Sequence, residues 1–394
     1  MRFNRNVVKT EMPPMVELAR RSVELGQQGA DVIRLDQGAV DIAPPSTFVD
    51  RVAKVLAEPA VHRYAPDPGL PGLRAALARY GSERFGVQWE PESEIVVTAG
   101  ANQACFDALM AIVEPGDEVL LPSPWYFNHA MTVTALGAIP IPVPTRVEEA
   151  FAPTVGAVTE AITPRTRVLV LINPNNPTGA RYDDALTREL AELAVEKDLW
   201  ILSDQTYHEL HFGDAPPLSP AAVAGARDRV ATVGSFSKSL GLAGWRLGFL
   251  AGHEKLVAEI LKIQDCSVIC AGRAGQEGLQ AALSGAEGHV MRVRTALRER
   301  RDRLVAGLRA AHLDAFVVPG GSLFLFLQLP GVKDGWAFCR RLIEEQYVVA
   351  VPGSVFGPGA EGSIRLSYGS TPPERFSDVA SRIATALDGH PIES

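Results

Sequence analysis

A lysine in a glycine- and serine-rich loop is the first group in this sequence able to do covalent chemistry. Lys238 lies in GSFSKSLGLAGWRLGF, Gly234 to Phe249, between two runs that read as buried strands. In a concave, desolvated site, or beside another cation, such an amine gives up its proton and becomes able to form a Schiff base. Taken alone, a surface-loop lysine is the simpler reading. Ser235 to Lys238 also has the S-x-x-K spacing of acyl-serine enzymes, but no S-D-N or K-T-G accompanies it.

Other segments end an apolar run in polar side chains. VLINPNNPTG, Val170 to Gly179, offers Asn173, Asn175 and Asn176, and SDQTYHEL offers Asp204 and Tyr207. Open α/β sheets bind ligands at the C-terminal ends of their strands, although Asn-Pro and Thr-Gly are also plain turn formers. In VVTAGANQACFDAL, Gly100, Ala101 and Asn102 join a strand to a helix, where free backbone N–H groups suit a phosphate. PSPWYFNH, Pro122 to His129, brings Trp125 and Tyr126, either an aromatic plane for a ligand ring or ordinary core. His208 and His211 have the spacing of one helix face, but no third metal ligand accompanies them.

These groups need a scaffold, and the pattern between about Pro91 and Gly252 supplies one. Ile95–Thr98, Glu118–Leu121, Arg167–Ile172, Leu199–Ser203, Val230–Gly234 and Leu247–Ala251 read as buried strands, with helices over Gln103–Val113 and Asp183–Lys197. Strands alternating with helices predict an α/β domain with a mainly parallel sheet. After Gly285 an arginine-rich helix, with Val293, Leu297, Leu304 and Leu308 on one stripe, opens a second, smaller domain with strands near Leu323–Leu329 and Ile364–Ser367. Its Arg292, Arg294, Arg298, Arg300, Arg301 and Arg303 interleave with Glu299 and Asp302 and lack stacking aromatics, so a solvated face is expected rather than a nucleic-acid surface.

Composition narrows the partners. With 38 Lys and Arg against 46 Asp and Glu, the net charge of −8 disfavours nucleic acid and anionic membranes, leaving a small molecule as the expected partner. Cys105, Cys266, Cys270 and Cys339 are too scattered for a disulfide scaffold and read as reduced thiols. The opening MRFNRNVVKTEMPPM has no apolar stretch of signal-peptide length, which points to the cytoplasm. The uncharged run from Val119 to Thr145 is broken by five prolines, so no membrane span is expected. No dinucleotide fingerprint, P-loop, H-E-x-x-H or G-x-S-x-G element is read.

One plan uses all the chemical parts together: a Schiff-base lysine, a phosphate cradle, an acid for a ring nitrogen, an Asn/Tyr pair for a phenolate and a stacking ring. In this ordered set the sequence resembles the class I and II aminotransferases of the aspartate aminotransferase fold family, from Gln37 to Arg365. The resemblance implies an α/β fold of type I among pyridoxal-phosphate enzymes: a large domain with a mainly parallel seven-stranded sheet, and a smaller α+β domain. The expected division is an N-terminal arm over 1–45 that forms part of the small domain, a large cofactor-binding domain over 46–288 and the C-terminal small domain over 289–394. It further implies pyridoxal 5′-phosphate held by Lys238, which also moves the substrate proton. Asp204 would face the ring nitrogen, Asn176 and Tyr207 the ring oxygen, and Tyr126 the ring plane. Gly100, Ala101, Asn102, Ser235 and Arg246 would hold the phosphate, with Tyr64 of HRYAPDPGLPGLR reaching the neighbouring subunit of a homodimer. Arg365 of GSIRLSYG would clamp the substrate carboxylate beside Gly38 of LDQGAVDIAPP. The implied reaction is ping-pong amino transfer between an α-amino acid and a 2-oxo acid.

Two departures bear on this reading: Gln205 and Thr206 follow Asp204 where relatives often have an acid, and Ala39-Val40 stand where many have an acidic or aromatic pair. The alternative on the same cofactor is elimination, replacement, cyclisation or oxidation at the substrate's β or γ carbon. A second alternative, the sensor half of a transcription regulator, needs a DNA-binding domain ahead of this fold, and the residues before the first core segments read as an arm instead.

Overall fold

A computed structural model describes residues 1–13 and 15–388; the last residues of the expected small domain, 389–394, lie outside the described set. Seven strands form the main sheet: β1 (Ile95–Thr98), β2 (Glu118–Ser123), β3 (Ile139–Pro144), β4 (Thr166–Ile172), β5 (Trp200–Asp204), β6 (Val230–Ser235) and β7 (Gly248–Ala251). Their order is β1-β7-β6-β5-β4-β2-β3, and only β7 runs antiparallel to its neighbours. Because β7 reverses twice, β1 still points the same way as β6. The C-terminal ends of β1, β4, β5 and β6 therefore share one edge. At that edge Gly248 pairs with both Thr98 and Ser235, and Ile172 pairs with Asp204.

Six of these strands follow the apolar runs of the sequence within a few residues. The strand that pattern reading passes over is β3, IPIPVP, whose alternating prolines argue against a strand. Its position explains them. Ile139 donates its N–H to Asp117 of the β2 side, so Pro140, Pro142 and Pro144, on the opposite parity, face the open edge, where no ladder donor is required. Such an edge also resists pairing with another chain.

Both faces of the sheet are covered. On one face Leu73, Leu77 and Phe85 of helix Pro71–Phe85 pack with Ile95, Leu169 and Phe249. On the other, Ala104, Leu109, Leu256 and Ile260 from helices Ala101–Ile112 and Glu254–Ser267 pack with Val96, Val170 and Leu250. A further core joins Leu18, Leu25 and Leu35 to Leu304, Phe338 and Ile383. The N-terminal segment is thus built into the C-terminal third, and Ile33–Arg34 pairs in parallel with Val348–Val349. That region carries an antiparallel sheet of β8 (Phe324–Gln328), β9 (Val351–Pro352) and β10 (Ser363–Ser367), with β10 in the middle.

The arginine-rich helix, Glu287–Ala310, links the cores, with Val290 in the first and Val293, Leu297, Leu304 and Leu308 in the other. Its arginines are not simply a solvated face. Arg300 pairs with Asp41 at 2.8 Å and donates to the Gly369 carbonyl; Arg301 donates to the Pro319 carbonyl at 3.0 Å and lies over Phe212; Arg298 donates to the Phe212 carbonyl at 2.8 Å. Loops distant in sequence bring acceptors to these cations, which sequence spacing does not reveal. His208 and His211 also depart from the one-face reading: they flank a 3-10 turn, with His208 Nε2 bonded to the Pro217 carbonyl and His211 Nε2 2.6 Å from Arg294. Gly357, Gly359 and Gly362 do have the G-x-G-x-x-G spacing, but they lead from a 3-10 turn into β10 rather than from a strand into a helix, so they form no dinucleotide cradle. No helix among the described residues is long and apolar enough to cross a membrane.

Candidate active site

The shared strand edge opens into a cleft of about 270 Å³. Lys238 leaves the end of β6 after Ser235, and its amine donates to the Gly38 carbonyl of the N-terminal segment. Burial, with the charges of Arg365 and Arg246 adding to it, pushes the Lys238 amine down to about 8, so a substantial neutral fraction exists near neutrality. This is the state required of a nucleophile.

Asp204 ends β5 and is buried. Burial opposes its ionisation, but His129 Nε2 at 3.5 Å and the Thr206 N–H at 3.0 Å outweigh that cost and hold the carboxyl below its ordinary value. The site therefore keeps a fixed negative charge on its floor. Tyr126 stands beside it, its ring 5.3 Å from that of His129 and its hydroxyl accepting from Asn128 at 2.9 Å. Burial, then the Asp204 charge, pushes Tyr126 up to about 12, and burial raises Tyr207 well above the usual phenol value. Both phenols stay protonated donors.

The anion cradle is assembled from three elements. Helix Ala101–Ile112 starts at the cleft, with Gly100 before it at φ +88°. A Cβ on Gly100 would lie 2.6 Å from an Arg246 guanidinium nitrogen, so glycine is what lets the arginine come beneath the helix start. Ala101, Asn102, Ser235 and Arg246 line the same end of the cleft, and Ser237 joins them, its N–H donating to Ser235 Oγ at 3.2 Å. Free helix N–H groups, hydroxyls and a guanidinium are the donor set of a phosphate site.

Opposite them, Arg365 projects from the central strand β10. One terminal nitrogen donates to Asn176 Oδ1 at 3.0 Å and the other to the Asp36 carbonyl at 2.9 Å. Its guanidinium carbon sits 4.3 Å from the Phe324 ring centre and 5.1 Å from that of Phe356. Burial lowers Arg365 to about 10, which still leaves it charged, and its Nε has no partner among the described residues. A buried, rigid cation with a donor unspent suits a carboxylate.

The cleft thus gathers Gly38, Ala101, Asn102, Tyr126, Asn176, Asp204, Tyr207, Ser235, Lys238, Arg246 and Arg365, with Gly100 directly behind them. Tyr64 is not brought in; it is 74% exposed, away from this chain's own cleft. Trp125 also stays out, its ring filling the space beside Gly357. Sequence reading missed His129, Phe324, Asp36 and Met15. His129 sits in a helix 75 positions before Asp204. No local spacing marks such a pair; the only signal was its place in the segment that supplies Tyr126.

Comparison with known proteins accords with this geometry. The family model described as "Aminotransferase class I and II" matches residues 30–383. The chain is an aminotransferase of class I and II. It is 34% identical to the probable aspartate/prephenate aminotransferase of Aquifex aeolicus, covering 95% of this chain and 96% of that one. It is 32% identical to aromatic-amino-acid aminotransferase 2 of Thermococcus litoralis, covering 93% and 95%. The solved aspartate aminotransferase of Thermus thermophilus with maleate superposes with a TM-score of 0.92 at 34% identity, covering 98% of this chain and all of that one. The aminotransferase therefore shares the fold of that solved relative over 98% of its chain, and its reaction is amino-group transfer.

Proposed function

We propose that this aminotransferase uses pyridoxal 5′-phosphate, tethered at Lys238, to pass an amino group from an α-amino acid to a 2-oxo acid in two half-reactions. One observation carries the reading: a lysine of lowered basicity, an ionised buried acid, an anion cradle and a carboxylate clamp line a single cleft. The residues fit the group. The glycine-backed cradle, the unpartnered Arg365 Nε and the two protonated phenols are the donors that a phosphate, a carboxylate and a phenolate need.

When bound, the cofactor supplies an electrophilic aldehyde and an electron-accepting ring that acidifies the substrate Cα–H. The rest falls to the chain. Lys238, with its amine of lowered basicity, would tether the group, and the same amine would take and return the proton at the substrate's Cα. Asp204, kept ionised by His129 and Thr206, would hold a proton on the ring nitrogen. Tyr207 and Asn176 would donate to the ring oxygen, Tyr126 would cover the ring face, and Gly100, Ala101, Asn102, Ser235 and Arg246 would hold the phosphate. Arg365 orients the substrate through its α-carboxylate, beside the backbone at Gly38.

The same reading assigns Tyr64 to the neighbouring copy of a homodimer, which its exposure supports. It divides the chain into a large domain over 46–288 and a small one made of 1–45 and the segment from 289 onward, the latter closing over substrate. It places the enzyme in the cytoplasm, consistent with four free cysteines.

The test is a single-turnover spectrum of the purified enzyme with a panel of amino acids. Conversion of the aldehyde form to the amine form, reversed by a 2-oxo acid, is expected. Release of product without the amine form would move the assignment to chemistry at the β or γ carbon.

A further inference from the structure

Behind the segment that carries Lys238 lies a second cavity, of about 250 Å³. Phe236, Leu240 and Val290 give it an apolar floor, and Arg79, Glu83 and Glu209 give it charge. A smaller cavity of about 190 Å³ shares Glu209, Arg84, Glu287 and Val290 with it.

Glu209 does not line the catalytic cleft, yet it follows Tyr207 by two positions. Its side chain is only 10% exposed, the nearest guanidinium nitrogen of Arg84 stands 3.5 Å away, and the Tyr80 hydroxyl bonds to it. Burial pushes its carboxyl up, the mark of a charge whose pairing falls short of its desolvation. Arg79 and Glu83 stand at the same cavity with no side-chain partner among the described residues. The exposed, unpaired Arg79 and Glu83 and the underpaired Glu209, set around an apolar floor, suit a small zwitterion with an apolar side chain.

We propose that this cavity binds a free α-amino acid with an apolar side chain, at a site separate from the catalytic cleft. The ligand's carboxylate meets Arg79, its ammonium meets Glu83 and Glu209, and its side chain lies on Phe236, Leu240 and Val290. Phe236 and Leu240 flank Lys238, and Val290 opens the helix that joins the cores, so the ligand touches both the Lys238 segment and that joint.

The test is calorimetry on Lys238→Ala enzyme with pyridoxal 5′-phosphate, which cannot turn over, titrated with L-leucine and separately with L-phenylalanine. An equivalent per chain that survives Arg365→Ala, and that Arg79→Ala or Glu209→Gln weakens at least about tenfold, is the expected result. Arg79 is exposed, so its variant keeps the test decisive if Glu209→Gln fails to fold. Binding lost wholly with Arg365→Ala overturns the second site and leaves the transfer reading intact. Binding indifferent to both cavity variants overturns it as well. Failure of the transfer reading has its own signature, since no amine form would then appear in the spectrum of the wild-type enzyme.

Discussion

Lys238, half-buried, and Asp204, buried, lose solvent to opposite effect, and the difference sets the pH behaviour of the site. Burial and two guanidinium charges loosen the lysine proton, whereas His129 and Thr206 keep the aspartate ionised against burial. Below about 8 the charged form predominates and only the falling neutral share can attack. The rate at which cofactor-free enzyme captures pyridoxal 5′-phosphate should therefore climb with pH and level off near that value, followed by stopped-flow absorbance; a flat profile contradicts the assignment of the attacking amine. Lys238→Ala should lower kcat by ~10⁴-fold or more, since both the tether and the proton carrier are gone. His129→Ala removes the stronger support of the Asp204 charge. Its carboxyl then becomes easier to protonate, and the acid limb of kcat/KM against pH should move toward neutrality by about one unit, or ~1.4 kcal/mol, the scale of a hydrogen bond to a charged group. An acid limb that stays in place would show that His129 is only packing. Arg365→Lys keeps the charge but loses the fork, so KM for both substrates should rise by roughly 10–100-fold while kcat changes less.

Elements aim these residues. Asp204, Ser235 and the Asn176 turn follow strands β5, β6 and β4, whose shared direction delivers them to one edge. Helix Ala101–Ile112 starts there because β7, inserted antiparallel, keeps β1 aligned with β6. The approach of Arg246 to this helix start needs a position without a side chain. Gly100→Ala should cost about 1–2 kcal/mol of stability, because φ is +88° there, and should weaken cofactor binding beyond that by displacing Arg246. Thermal unfolding and a cofactor titration separate the two effects; unaltered cofactor affinity would mean that Arg246 does not hold the phosphate. Strand β3 shows how an element escapes a pattern reading: its prolines are forbidden in a central strand and harmless at an edge, and edge or centre is known only once the sheet is assembled.

At the scale of the whole molecule Tyr64 is the telling side chain, since one this exposed contributes nothing to its own cleft. If each copy lends Tyr64 to its partner, two inactive variants should repair one another. Co-refolded Lys238→Ala and Tyr64→Ala chains form hybrid dimers with one intact site, and random assortment with two-fold symmetry predicts about one quarter of wild-type activity. Recovery no greater than the sum of the separate variants would rule out the exchange. On the proposed division, the small domain should swing when substrate reaches Arg365; identical solution scattering with and without a dicarboxylate analogue would argue that the cleft is rigid.

The sequence by itself determined six of the seven strands of the main sheet, because buried β-branched runs and their turns are local. It also named most of the cleft, because a family's chemical groups occur in a fixed order along the chain. Only the tertiary structure decided which side chains meet. His129 reaches Asp204, Phe324 and Phe356 enclose Arg365, Gly38 meets Lys238, and the helix arginines find carbonyls on remote loops. Each contact joins segments far apart along the chain. Its existence depends on sheet order and on the packing of three cores, which no spacing in the sequence encodes.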